Sequence, residues 1–395
     1  MIGCAGVASG PSQPVSQRTL QRTVEVALVD SFSGSGAAVG RRAENSLRVQ
    51  VDALNARGGL LGRRVEVISA DDESNPDKAR ELVRELLNDS RVQLLVGPGS
   101  SATFDAVKPA VRRAQVPNCV STVADAAMAD SPFTFRTAPA DRDRLSSLLA
   151  YLRRDHPEVT SVGLIDGGGQ PAQLGDDLVG EQASGRGLSY IGRASAGFSD
   201  ADAVSAVQQL AGQGAQAALV SGRPELVARV AAGIVAAGLQ GKLPLLGLDG
   251  VGDYSFPSLT GDAAGGSAFA GSIQSYLTPQ PEAAWPAGYR DFVHRVSQAY
   301  GYGTDGVEIT GAPAVADCVR QWSSAVRRAG TFAGPEVTRA WEQLDVPATQ
   351  TALGVREKAS PANHTTVAAD SVFVYSWVRR GSAYRLRQLA GPVTG

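Results

Sequence analysis

Short apolar runs rich in β-branched residues alternate with amphipathic stretches twice over along this chain, and that double alternation restricts the folds open to it. The first round reads as strand 24–30, helix 38–56, strand 64–70, helix 76–88, strand 92–97, helix 102–114 and strand 118–121. The second reads as strand 161–166, helix 174–185, strand 190–195, helix 200–213, strand 217–221, helix 224–237 and strand 245–249. VEVALVD, VQLLVG, SVGLID and AQAALVSG are bounded by Gly, Asp or Pro, the pattern of strands buried on both faces. The stretches between them are long enough to be crossover helices. The fold class is therefore α/β, with two doubly wound parallel-sheet domains. Ligands of such sheets lie beyond the carboxyl ends of the strands, so two facing domains enclose a cleft.

Composition removes several function classes. A chain of 395 residues can fill two cores, and 43% apolar with 19% charged residues is a globular balance. A net charge of -2 gives no electrostatic footprint for nucleic acid. No run approaches the roughly 20 apolar residues of a membrane span. His156, His294 and His364 are scattered without metal-ligand spacing, and GxSxG, HExxH, CxxC and Walker sequences are absent. Enzyme chemistry therefore has little support, and neither a cofactor nor a metal is expected.

Residues 1–22 are small, polar and aperiodic, and read as a flexible tether. Ile2-Gly3-Cys4 resembles the end of a bacterial lipoprotein signal, in which a small residue precedes the lipidated cysteine. With a polar tether directly after it, Cys4 is expected to be lipidated, anchoring the protein to the outer face of the cell membrane. A stray cysteine in an unstructured start is the plain alternative. Cys119, beside the fourth strand, and Cys318, in the helical run ADCVRQW, read by default as buried free thiols. A disulfide between them stays open, because spacing does not establish proximity.

Several motifs sit where strands meet the cleft. Gly34-Ser35-Gly36 with Gly40 approximates a dinucleotide fingerprint, but the third glycine comes one residue late and Asp30–Ser33 intervene after the strand. These glycines read better as a loop permitting close approach. Gly97-Pro98-Gly99-Ser100-Ser101 leads from the third strand into a helix, where unpaired N–H groups and the helix dipole favour an anion. Simple capping needs one hydroxyl; two serines after two glycines favour a ligand. Asp249-Gly250 ends the last strand of the second round, where the carboxylate either holds an ammonium group or bonds its own turn. Arg223, after Ser221-Gly222, faces an anionic group or a closure partner, or is solvated.

VEVALVDSFSGSGAAVG, NARGGLLGRRVEVISADDESNPDKA, LLVGPGSSAT, VPNCVST and LLGLDGVGD…LTGDAAGGS together resemble the type I periplasmic solute-binding proteins, nearest the leucine/isoleucine/valine-binding group of ABC transporters. The resemblance runs from about Val24 to the end. It implies two lobes joined by a three-strand hinge, with crossings near Thr137–Asp141 and Asp345–Gly354. The lobes expected are 23–139 with 275–348, and 140–274 with 349–395. By position it implies that Ser100 and Ser101, with Gly99 and Ala124 beside them, clamp a ligand carboxylate. Asp249 would hold the ammonium, and Val39 would replace a side-chain-contacting aromatic. Asp125 stands where Thr or Ser usually meets the ligand, and Arg223 where an aromatic covers it, so a polar or cationic ligand becomes open. The function implied is amino-acid delivery by a monomeric receptor to an ABC permease. A regulatory sensor of the same fold is the alternative, and a dinucleotide enzyme rests on the glycine loop alone.

Overall fold

The computed structural model describes residues 23–121, 123–167, 174–197, 199–248, 250–272, 280–301 and 311–392. Strand β1 (Thr23–Asp30) lies between β2 (Arg64–Asp71) and β3 (Val92–Val96), all parallel. Strands β4 (Asn118–Val120) and β5 (Thr134–Arg136) extend the sheet in the order β2-β1-β3-β4-β5. Alternate residues of β1 enter opposite cores. Val26 and Leu28 pack with α1 (Ala37–Ala56), while Ala27 and Val29 pack with α2 (Pro76–Leu86) and α3 (Ser101–Ala114). Period-two burial on both faces is why the sequence reads as an unbroken apolar run. The chain leaves β1 and β3 toward opposite faces, which puts the switch point, and hence a crevice, between their carboxyl ends.

The second sheet has the order β14-β13-β10-β9-β8-β6-β7. Its parallel strands are β6 (Ser161–Asp166), β7 (Ser189–Ser195), β8 (Ala217–Val220), β9 (Leu245–Gly247) and β10 (Ala268–Ser272). The tail hairpin, β13 (Val372–Arg380) and β14 (Ala383–Ala390), adds antiparallel strands at one edge. Helices α4 (Asp141–Asp155), α5 (Asp176–Ser184), α6 (Asp200–Gly212), α7 (Pro224–Ala236) and α8 (Phe256–Thr260) belong to this half.

Helices α9 (Ala287–Tyr300), α10 (Ala312–Ala329) and α11 (Gly334–Trp341) return to the first sheet. Val315, Val319, Trp322 and Val326 of α10 share one buried cluster with Val26, Leu28 and Leu94, and Phe292 and Val296 of α9 pack on Val49. The apolar faces of both helices are covered there.

Three findings differ from the sequence reading. First, the stretch between Ser121 and Asp141, which contributes no strand to either round above, contains β5. Arg136 N–H donates to His364 C=O at 2.9 Å and Thr366 N–H to Arg136 C=O at 2.9 Å, so two interlobe segments run side by side. Second, the chain does not leave the first half at 345–354. Strands β11 (Asp345–Val346) and β12 (Glu357–Lys358) form a small ribbon there, and Leu353, Val355 and Val367 pack on Ala314. Asp317 of α10 holds this stretch by accepting the N–H groups of Ala352 at 2.6 Å and Leu353 at 2.8 Å. The passage to β13 comes after Val367; residues 273–279 lie outside the described residues. Third, Cys119 and Cys318 are not free thiols. They form a disulfide joining β4 to α10, with Cα atoms 5.7 Å apart and both residues fully buried.

Candidate ligand-binding site

At the switch point the carboxyl ends of β1 and β3 meet the start of α3. Ser100 is the N-cap of α3: its backbone is extended, its Oγ accepts the Thr103 N–H at 3.3 Å, and it pairs with Thr103 Oγ1 at 2.7 Å. Ser101 Oγ accepts the Ala124 N–H at 2.9 Å, tying the loop after β4 to the helix. A hydroxyl that accepts still has its own proton to donate. The expected serines thus have structural duties, and the first-turn N–H groups of a 14-residue helix remain the anion-favouring element between them.

Gly99 is required by close approach: a Cβ there would lie 2.7 Å and 3.0 Å from the two carboxyl oxygens of Asp30. Asp30, the last residue of β1, accepts the Ser31 N–H at 2.8 Å. Burial, offset in part by that N–H and reinforced by the charges of Asp72 and Asp71, pushes its pKa up to about 7. Sequence reasoning treated Asp30 only as a spacer before the glycine loop. The signal available was an acid closing the central strand at the switch point.

Asp125 lies beside this site, but its carboxylate is engaged. Its Oδ1 sits 2.6 Å from Arg136 Nη2 and accepts the Asp141 N–H at 3.0 Å, while its Oδ2 accepts the Arg142 N–H at 2.9 Å. Burial acts to raise its pKa, yet the Arg136 guanidinium and the two helix N–H groups outweigh burial and hold the carboxyl below its usual range. Arg136, only 3% exposed, also donates to Val123 C=O at 2.9 Å and to Thr365 Oγ1. The acid therefore pins the start of α4 to β5 where the chain crosses between halves.

On the facing wall, Arg223 is exposed and is the N-cap of α7 without a side-chain cap bond. Gly250 packs so closely against Gly222 and Arg223 that a Cβ would lie 2.5 Å from the Gly222 carbonyl oxygen. Asp249 and Cys4 lie outside the described residues. Val39 is 47% exposed on α1. Gly40 belongs to packing: a Cβ would lie 2.2 Å from the Ser31 carbonyl oxygen, which accounts for this glycine without a nucleotide.

The halves touch through a pair that sequence reasoning missed. Arg42 Nη2 of α1 lies 3.2 Å from Asp253 Oδ2, while Asp253 Oδ1 accepts the Ser255 N–H at 2.8 Å. The side chains are 18% and 14% exposed, so the pair sits near the surface and is worth about 1 kcal/mol or less. Arg42→Ala is expected to leave folding nearly unchanged and to enlarge the radius of gyration of the ligand-free protein in small-angle scattering. An unchanged radius would show that this contact does not hold the halves together. A surface cavity of about 510 Å³ lined by Leu61, Arg63, Gln93 and Phe332 opens at the amino ends of β2 and β3, the opposite end from the site.

The sequence matches the periplasmic binding protein family over residues 23–382. Leu/Ile/Val-binding protein BraC3 of Rhizobium johnstonii is 22% identical over 266 residues, spanning 66% of this chain and 71% of that protein. The branched-chain amino acid transporter substrate binding protein LivJ of Streptococcus pneumoniae, solved with isoleucine, is similar with a TM-score of 0.72 at 18% identity, over 93% of this chain and 100% of that one. An ABC transporter solute binding protein of R. palustris, solved with 4-hydroxybenzoate, gives a TM-score of 0.78 at 15% identity, over 93% and 96%. The family match runs from the first residue of β1 to the turn of the last hairpin, through both sheets and every crossing described, and so the chain belongs to the periplasmic binding protein family, with the type I fold.

Proposed function

We propose that this protein is the extracytoplasmic receptor of an ABC importer and that it binds a small carboxylate-bearing solute, an amino acid or close analogue, between its two lobes. The observation that carries this reading is the α3 N-terminus at the β1/β3 switch point, with Ser100 and Ser101 around its first-turn N–H groups. Isoleucine and 4-hydroxybenzoate, the solutes of two similarly folded proteins, differ in shape and charge but share a carboxylate. A ligand that touches both lobes favours the closed form by its differential contacts, and the closed form is what a permease would recognise. The receptor would act as a monomer, tethered through Cys4, with no catalytic step.

The test is a thermal-shift screen of protein stripped of carried-over solute by unfolding and refolding with the disulfide intact. L-amino acids, benzoates, sugars and polyamines are the probes. A ligand at a hundredfold excess over its Kd stabilises the folded state by about 2.7 kcal/mol, a readily measured rise in Tm. Rises confined to amino acids or benzoates are expected; rises only with sugars or polyamines would overturn the carboxylate site.

A further inference from the structure

We propose that Asp30 is the ammonium-recognising residue of the first lobe, so that both charged groups of an α-amino acid are held on one wall of the cleft. This rests on the reading that the ligand carboxylate docks at the start of α3. Asp30 closes β1 at the switch point, and its carboxyl lies against Gly99, the residue before the N-cap of α3. An amino acid carries its carboxylate and its ammonium on the same carbon. A carboxylate on the first-turn N–H groups therefore brings the ammonium within reach of Asp30, with no contribution from the second lobe.

The surroundings of Asp30 lack a cation and suit one. The charged groups that face it are Asp71 and Asp72, both acids at the end of β2; the β3–α3 loop beside it contributes Gly99, which has no charge. Those two acids build the loop. Asp71 accepts the Phe32 and Glu73 N–H groups at 2.8 Å and 3.0 Å, and Asp72 accepts Ser31 Oγ and the Ser74 N–H, each at 2.8 Å. Asp30 accepts the Ser31 N–H through Oδ1, and its Oδ2 accepts no hydrogen bond among the described residues. A desolvated carboxylate beside like charges gains most from an arriving cation. An ammonium favours the ionised form, so binding releases a proton wherever Asp30 is still protonated, at and below its ligand-free pKa of about 7.

The deciding experiment is isothermal titration of wild type and Asp30→Asn with the L-amino acids, their des-amino acids and 4-hydroxybenzoate, at pH 6 and pH 8 and in buffers of different ionisation enthalpy. For wild type, amino-acid affinity is expected to rise about tenfold from pH 6 to pH 8, with proton release at pH 6. Asp30→Asn should lose about tenfold or more at pH 8 and become indifferent to pH. If amino acids bind wild type and variant equally, Asp30 has no such role while the receptor reading stands. If only ammonium-free carboxylates bind, or if binding takes up protons, the inference falls. If no carboxylate of either kind binds, the receptor reading itself fails. Should the variant not fold, the wild-type pH profile and the sign of proton exchange decide the matter alone.

Discussion

Asp125→Ala is expected to destabilise the protein by about 3–5 kcal/mol, because it removes one partner of a buried charge pair and leaves the other uncompensated. The Arg136 guanidinium, 3% exposed, loses the carboxylate 2.6 Å away, and two N–H groups at the start of α4 lose their acceptor. Asp125→Asn keeps the shape and an acceptor oxygen but loses the charge, so a smaller loss is expected. Urea unfolding at pH 7 reads both. The pH dependence has a definite sign. The folded pKa of Asp125 is depressed, so its contribution is present above the unfolded value, 3.8, and fades as pH falls through the folded one. The gap between wild type and Asp125→Ala should therefore close in acid. A loss below about 1 kcal/mol at pH 7, with weakened ligand binding, would instead return Asp125 to the ligand role that its position in the sequence implies.

Replacing both Cys119 and Cys318 with alanine is expected to cost about 2–5 kcal/mol. The bond closes a sequence separation of 199 residues, so its removal frees a large part of the unfolded chain. It fastens β4, near the edge of the first sheet, to α10, which covers that sheet with Trp322 and Val319. Both cysteines are fully buried, so the double variant is a cleaner probe than a reductant added to folded protein. A Tm indistinguishable from wild type would show that packing alone holds α10 in place. A buried disulfide also accords with an oxidising, extracytoplasmic setting.

Strands β1, β3, β6 and β8 were legible because each is buried on both faces and so leaves a continuous apolar signature. Strand β5 was not, since Thr134-Phe135-Arg136 is three residues long and ends in a buried arginine, which reads as surface until its partner is known. That omission propagated. Without β5, Asp125 had no visible counter-charge and looked available to a ligand. The pairing of Cys119 with Cys318 was illegible for another reason: the resemblance places both in the first lobe, but spacing does not say which strand α10 covers or which of its faces meets β4. The serines of α3 were found from their place after a strand, although their hydroxyls turn out to cap the helix and bind a loop. Asp30 escaped notice because its consequence depends on Gly99, far along the chain but adjacent in space.

The Cys119–Cys318 bond also bears on how the protein is made. In a receptor exported as proposed, Cys119 would leave the export channel long before Cys318, and the sequence places no cysteine between them. During that interval most of the second sheet can assemble, yet the first cannot be covered by α10. The one other thiol in the chain, Cys4, is upstream and arrives earlier. Acylation of Cys4 would remove it from circulation, leaving Cys119 a single intramolecular choice. Oxidation would then be a late, unbranched step that needs an oxidant but no isomerase, and a Cys4→Ser form should acquire its native bond just as cleanly.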